Sequence, residues 1–385
     1  MNLPWSLDCS ACGHTRDADG IPGVCEKCGQ PYLVRYVTPP PPEAKRLLRD
    51  RRRGMWRYRE WLPLLPQEEP VTLGEGGTPL LRVDRLAAMH GFARLWVKDE
   101  GVNPTGSFKA RGLAAAVTRA AAAGATRFVV PTAGNAGIAL AAYAARAGVR
   151  ARVYAPQDTP ATITAQIRSF GAELQLLDGH IGDCGKAARQ FAADSGAVDV
   201  STLREPYRIE GKKTLGLELA EQMGWTLPDV IVYPTGGGTG LIGMWKAFQE
   251  LSGAGWVRGG GGGPRFYTVQ SSGCAPVVQA FTAGAHRCTP WPEPRTIAAG
   301  LRVPGPLGDR LMLRALRESN GGAIAVTDEA LAAAARELQT VEGIDAAPEG
   351  GAAWAAATEL KRTGAIRPEE RVVVFNTGAG WLYRA

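Results

Sequence analysis

The sequence predicts an α/β protein with two domains of mostly parallel sheet flanked by helices, preceded by a small N-terminal zinc ribbon. Three observations predict it. From residue 95 onward, short β-branched runs alternate with alanine-rich helical stretches, the pattern of parallel strands covered by helices. Two glycine-bearing segments, 131–137 and 234–240, each lie between a strand-like run and a helix-like one, where α/β proteins gather ligands. Two Cys-x-x-Cys-Gly knuckles stand near the N-terminus, twelve residues apart.

The knuckles come first. Cys9, Cys12, Cys25 and Cys28 offer four thiolates at tetrahedral ligand spacing, with Gly13 and Gly29 letting the backbone turn behind them. Four protein ligands close the coordination sphere, so the expected role is structural. Zinc is the expected ion, and iron in a rubredoxin-like site is the alternative. Cys184, Cys274 and Cys288 have no motif around them. The first residues lack a basic or apolar signal region, and no apolar run is long enough to span a bilayer. A cytosolic protein is expected, in which disulfides would be unusual.

Pro39–Pro42 reads as a stiff, extended spacer that ends the ribbon. Arg49, Arg51, Arg52, Arg53, Arg57 and Arg59 form the one concentrated basic stretch, in a chain of net charge +7. No reader helix or stacking platform follows it, so a solvated face or linker is expected and no nucleic-acid partner. Attraction of an anionic substrate or cofactor accounts for the sign of the charge. Strands are expected at 95–98, 126–130, 152–155, 173–177, 198–201, 229–233, 266–270 and 372–375, with helices at 108–123, 136–147 and 328–342. The run Gly259–Gly263 has no helix after it, and reads as a flexible surface insertion rather than a phosphate loop.

Chemistry concentrates at four places. In Pro104-Thr-Gly-Ser-Phe-Lys109, turn residues give way to a helix with Ser107 as N-cap and Lys109 in its first turn. The positive end of a helix disfavours an ammonium, so Lys109 is a candidate for a lowered pKa and for Schiff-base chemistry; taken alone, a surface lysine is the plainer reading. Gly236, Gly237, Gly238, Thr239 and Gly240 follow one strand and open a helix, so their backbone amides can converge on a phosphate. Neither a P-loop Lys-Ser/Thr nor a Rossmann glycine spacing is present. Thr132, Ala133, Gly134 and Asn135 form a second strand-to-helix junction, open to a carboxylate ligand or to a plain helix cap. Thr377 stands at the end of the last strand.

The runs PTGSFKARG (104–112), PTAGNAGIALAAYAARAG (131–148), PTGGGTGLIGMWKAF (234–248) and VVVFNTGAG (372–380) resemble, in order, four motifs of the threonine synthase and threonine dehydratase families, the β-family of pyridoxal phosphate enzymes. PYRIEGKKT (206–214) and GMWRYREWLPLLP (54–66) are similar to threonine synthases in particular. The resemblance covers the chain from about residue 54 to the end. The knuckles and the proline run set a ribbon at 1–38 and a linker at 39–53, and the resemblance implies a large cofactor domain from 54–105 and 206–385 and a small substrate-carboxylate domain at 106–205.

The resemblance also implies roles. Lys109 would carry pyridoxal 5'-phosphate, the 236–240 loop its phosphate, Asn135 its phenolic oxygen and Thr377 its ring nitrogen. A neutral hydroxyl at that nitrogen makes a weaker electron sink than an aspartate and suits elimination or replacement at Cβ or Cγ. Segment 132–135 would hold the substrate carboxylate, and Glu349 would stand near the end of the site. Arg208 and Lys212 or Lys213 would take the phosphate of O-phospho-L-homoserine, which the enzyme converts with water to threonine and phosphate; the alternative is that Arg208 pairs with Glu205 or Glu210. Two departures stand out: Ala110 where the family commonly has aspartate, and Ala136 where it commonly has threonine. They leave open a β-eliminating or β-replacing enzyme such as a serine or threonine dehydratase, a diaminopropionate lyase or a cysteate-synthase-like enzyme. A ribbon-borne binding module with a degenerate catalytic body is the reading from another class. Dimers are common in the family, and no residue of the sequence marks an interface.

Overall fold

A computed structural model describes residues 3–132, 134–257 and 263–384. The chain opens with β1 (Trp5–Cys9), β2 (Thr15–Asp17) and β3 (Tyr32–Tyr36), an antiparallel sheet in the order β2-β1-β3. Short 3₁₀ segments at Pro42–Leu48 and Met55–Trp61 follow. The expected proline spacer is therefore short: it turns helical at Pro42 and is docked, with Pro40 O accepting from Trp256 Nε1 at 2.8 Å and Leu48 buried in the main core. Arg51 pairs with Glu60 and Arg57 with Glu221, so part of the arginine stretch is spent on internal ion pairs.

The body continues with β4 (Leu80–Arg82), α1 (Asp84–His90), β5 (Arg94–Asp99), α2 (Lys109–Ala122), β6 (Arg127–Pro131) and α3 (Asn135–Ala147). Next come β7 (Arg150–Pro156), α4 (Ala161–Ser169), β8 (Glu173–Leu177), α5 (Ile181–Ser195), β9 (Val198–Asp199) and α6 (Tyr207–Gln222). The C-terminal part holds β10 (Val230–Pro234), α7 (Thr239–Gly253), β11 (Arg265–Ser271), α8 (Pro276–Thr282), α9 (Asp309–Glu318), β12 (Gly322–Val326), α10 (Asp328–Glu342), α11 (Pro348–Arg362) and β13 (Arg371–Asn376).

Among the described residues these strands make two further sheets, in the orders β12-β11-β10-β13-β5-β4 and β8-β7-β6-β9. All pairs but the β4 edge are parallel. Parallel strands need crossover helices and are covered on both faces, which is why β10 (Val-Ile-Val-Tyr-Pro) is apolar and buried throughout. The eight expected strands are present. The ribbon strands, β4 and β12 are additional; they are short or, like β12 (Gly-Ala-Ile-Ala-Val), weak in β-formers. The glycine run at 259–263 lies almost wholly outside the described residues. No helix among the described residues is long and apolar enough to cross a membrane.

Helix α6 ties the parts together. On one side its Glu218 meets Lys98 of β5 at 2.5 Å and Arg111 of α2 at 3.1 Å, all three side chains buried. Arg111 also grips Glu100 through Nε and Nη2 at 2.7 and 2.8 Å. On its other side Tyr36 of the ribbon donates to Glu210 Oε2 at 2.7 Å, beside the Lys213–Glu210 and Lys246–Glu210 pairs at 2.6 and 2.9 Å. Pairing of this kind offsets the cost of burying these charges.

Candidate active site

A cavity of about 580 Å³ opens between the two large sheets, lined by Lys109, Thr132, Gly134, Asn135, the Gly236–Gly240 loop, Glu349 and Thr377, among others. The strand ends converge there: β6 runs into 132–135, β10 into 235–238, and β13 into Thr377. This is the carboxyl-end crevice in which open α/β sheets collect ligands. Candidates from widely separated stretches of the sequence therefore share one cavity. Ala133 lies outside the described residues.

Lys109 is the first residue of α2, with Phe108 in the capping position and Ser107 one residue earlier, its Oγ 3.4 Å from the Lys109 amide. The expected cap is thus displaced by one residue, because Ser107 is held in a bridge to Gly378. The Lys109 amine is pulled down to about 8, first by burial and then by the positive charge of Arg208, against a smaller opposing pull from Glu349. Its Nζ stands 4.6 Å from the centre of the Phe108 ring.

On the lining of the same cavity, Gly238 caps α7 with φ +84, a conformation that favours glycine. A side chain at Gly236 would overlap the carbonyl oxygen of Gly300, and one at Gly237 would stand 2.7 Å from Thr202 Cγ2. The loop is bare backbone facing the cavity, at the positive end of a fifteen-residue helix. At the other junction the Thr132 hydroxyl accepts the Gly134 N–H at 2.9 Å, so that amide is already engaged.

A hydrogen-bonded chain crosses the cavity floor. Asn135 Nδ2 donates to the Tyr383 hydroxyl at 3.1 Å, that hydroxyl donates to Glu349 Oε1 at 3.3 Å, and the same oxygen accepts the Gly300 N–H at 2.6 Å. Asn135 Oδ1 is buried without a partner among the described residues. Burial pushes the Glu349 carboxyl up. Tyr383 is absent from the sequence-derived candidates, since a tyrosine third from the end of the chain carries no local motif. Thr202, Arg204 and Arg302 also line the cavity, and only folding brings them there.

Arg208 and Lys212 stand behind this wall rather than in it. Arg208 is 1% exposed; its Nη1 donates to Val200 O at 2.6 Å, while Nε and Nη2 have no partner among the described residues. Glu205 does not pair with the guanidinium but accepts the backbone N–H groups of Tyr207 and Arg208 at 2.7 and 3.0 Å. Lys212 Nζ donates to Phe108 O, and burial followed by the charges of Lys109 and Arg208 lowers its pKa well below normal. Lys213 points the other way, into Glu210 and Glu250. At the N-terminus, the Sγ atoms of Cys9, Cys12, Cys25 and Cys28 all lie within 4.8 Å of one another. Four sulfurs about 2.3 Å from a central ion stand roughly 3.8 Å apart, so the cluster has the dimensions of a tetrahedral metal site.

Comparisons with known proteins agree with this geometry. Residues 71–378 match the family described as "Pyridoxal-phosphate dependent enzyme". The chain is 35% identical to a threonine synthase of Methanocaldococcus jannaschii over 97% of its own length and 91% of that protein's. It is 35% identical to one of Mycobacterium tuberculosis over 84% and 86%. Among solved structures, a T.th. threonine deaminase superposes with a TM-score of 0.65 at 28% identity, covering 78% of this chain and 92% of that one. The diaminopropionate ammonia lyase of Escherichia coli gives 0.70 at 21% identity over 80% and 86%, a likeness of fold alone. A lysine-bearing cavity facing a glycine loop and a match of this extent lead to one assignment: the chain belongs to the pyridoxal-phosphate dependent enzymes, within their threonine synthase group.

Proposed function

We propose that the protein is a lyase that converts O-phospho-L-homoserine and water to L-threonine and inorganic phosphate, with pyridoxal 5'-phosphate as cofactor. The observation that carries the reading is the buried Lys109 amine, held at about 8 within a cavity that the glycine-rich 236–240 loop also lines. The residues present fit the cofactor. The glycine loop offers amides at a helix N-terminus for its phosphate, the unpartnered Asn135 Oδ1 marks a place for a polar group, and Thr377 supplies a neutral hydroxyl rather than an acid.

Pyridoxal phosphate, when bound, supplies an electrophilic carbonyl carbon and a conjugated ring that draws electrons from the substrate's Cα. The chain's own groups do the rest. The Lys109 Nζ is the group that would hold the cofactor at its carbonyl carbon, and as a neutral amine it would take the proton from Cα and move protons at Cβ as phosphate leaves Cγ and water adds at Cβ. Segment 132–135 would orient the substrate carboxylate through groups other than the Gly134 amide, which Thr132 engages. Arg208, with two unpartnered nitrogens, and Lys212 supply positive field for a phosphate. Glu349, raised by burial, and Tyr383 hold Asn135 in place.

We assign a structural zinc to Cys9, Cys12, Cys25 and Cys28, supported by their mutual distances, and place the enzyme in the cytosol. Incubation of the cofactor-loaded protein with O-phospho-L-homoserine tests the main reading: threonine and phosphate are expected in equal amounts. A coloured protein that releases neither, but deaminates serine or threonine, would replace it with β-elimination. Ala136 in the cavity wall, lacking a hydroxyl there, is the observation on that side.

A further inference from the structure

The cavity wall carries four basic side chains, Lys109, Arg189, Arg204 and Arg302, against one carboxylate, Glu349. Arg302 differs from the others in its attachment. It follows the 3₁₀ turn Ala299–Leu301, which is fixed to the floor by the Gly300–Glu349 hydrogen bond. Its guanidinium, on the cavity lining, reaches out to Asp158, which follows β7 of the other large sheet and is not itself a lining residue, and grips both carboxylate oxygens at 2.8 and 3.2 Å. Arg302 is 23% exposed and Asp158 61%. An ion pair this open contributes little to stability, so Asp158 is a partner that a better anion can replace. A phosphate monoester is such an anion: it offers a planar guanidinium the same two-pronged geometry with more charge.

We propose, on the reading that the substrate is a phosphorylated amino acid, that Arg302 is a specificity residue at the cavity mouth. It exchanges Asp158 for the phosphate of the incoming substrate, and so favours dianionic substrates over neutral analogues. Asp158 acts as the resident competitor, holding the guanidinium in the mouth until substrate arrives. Arg189 and Arg204, on the same wall, add positive field along the approach.

The holoenzyme variants Arg302→Gln and Asp158→Asn separate recognition from a mere tie between the two halves. Recognition predicts effects of opposite sign. Arg302→Gln raises KM for O-phospho-L-homoserine about tenfold with kcat nearly unchanged, the loss of one charge-assisted contact. Asp158→Asn lowers KM by removing the competitor. Changes of the same sign in both variants would show a structural strap and overturn the assignment. If O-phospho-L-homoserine is not turned over at all, the proposed reaction fails, and inorganic phosphate titrated into the three holoproteins by calorimetry still decides the role of Arg302. Weaker binding to Arg302→Gln and tighter binding to Asp158→Asn support it; equal binding to all three refutes it.

Discussion

Lys109 shows how one side chain acquires its chemistry from position. Burial removes the water that stabilises an ammonium, and Arg208 adds like charge, so the amine is held at about 8 rather than near its ordinary value. Only the neutral amine attacks a carbonyl carbon. Cofactor uptake by the apoprotein should therefore accelerate as pH rises and level off above about 8, slowing about tenfold for each unit below it. Growth of the visible absorption band after mixing with pyridoxal phosphate measures this. Lys109→Ala should show no band, and a band of ordinary intensity in that variant would remove Lys109 from its assigned role. The lysine and its motif are plain in the sequence. Tyr383 and Glu349, which share the floor with Asn135, are not equally so: Glu349 comes from resemblance, and Tyr383 gives no signal because its meaning lies in a contact with a residue 248 positions away.

Among elements, α6 carries the most constraint. It runs against both α2 and α7, and its glycines make the approach possible. A methyl group at Gly211 would overlap the Arg111 carbonyl, and one at Gly243 of α7 would stand 2.8 Å from the Lys212 backbone. Because the obstacle is backbone, neither helix can yield by a rotamer change. Gly211→Ala should cost about 3 kcal/mol, at the upper end of overpacking penalties, visible as a lower urea midpoint; an unchanged midpoint would show that the helices separate freely. The sequence marks PYRIEGKKT as a substrate segment by resemblance. Folding distributes its charges over three environments: Arg208 and Lys212 behind the cavity, Lys213 toward Glu210 and Glu250, and Glu210 toward the ribbon. Helical periodicity sets which side chains share a face, but what each face meets is a matter of tertiary packing.

At the scale of the whole molecule, the ribbon rests on the outer face of the same helix through Tyr36, with Tyr207 of α6 packed into the ribbon core. Even with Tyr207 that core has only eight buried residues among the described ones, and small domains of that kind depend on a metal. Metal analysis should find about one zinc per chain. Cys25→Ser should lose it and become protease-sensitive within residues 1–38, while the Lys109 absorption band persists. A zinc-free native protein with a protease-resistant N-terminus would rule the assignment out.

What the sequence by itself determined was local in origin. The alternation of β-branched and alanine-rich runs specified parallel sheet and covering helices, the knuckle spacing specified four convergent thiols, and the glycine and lysine motifs specified where ligand-binding turns stand. Each is a property of a few neighbouring residues, so each is legible without the fold. The tertiary structure alone decided which of these turns face one another, which charges are buried and which are paired. It paired Arg302 with Asp158, 144 residues away, and drew Arg208 behind the wall on which it was expected. Those outcomes depend on the relative placement of two sheets, and on the cost of leaving a buried charge without a partner, which no local pattern records.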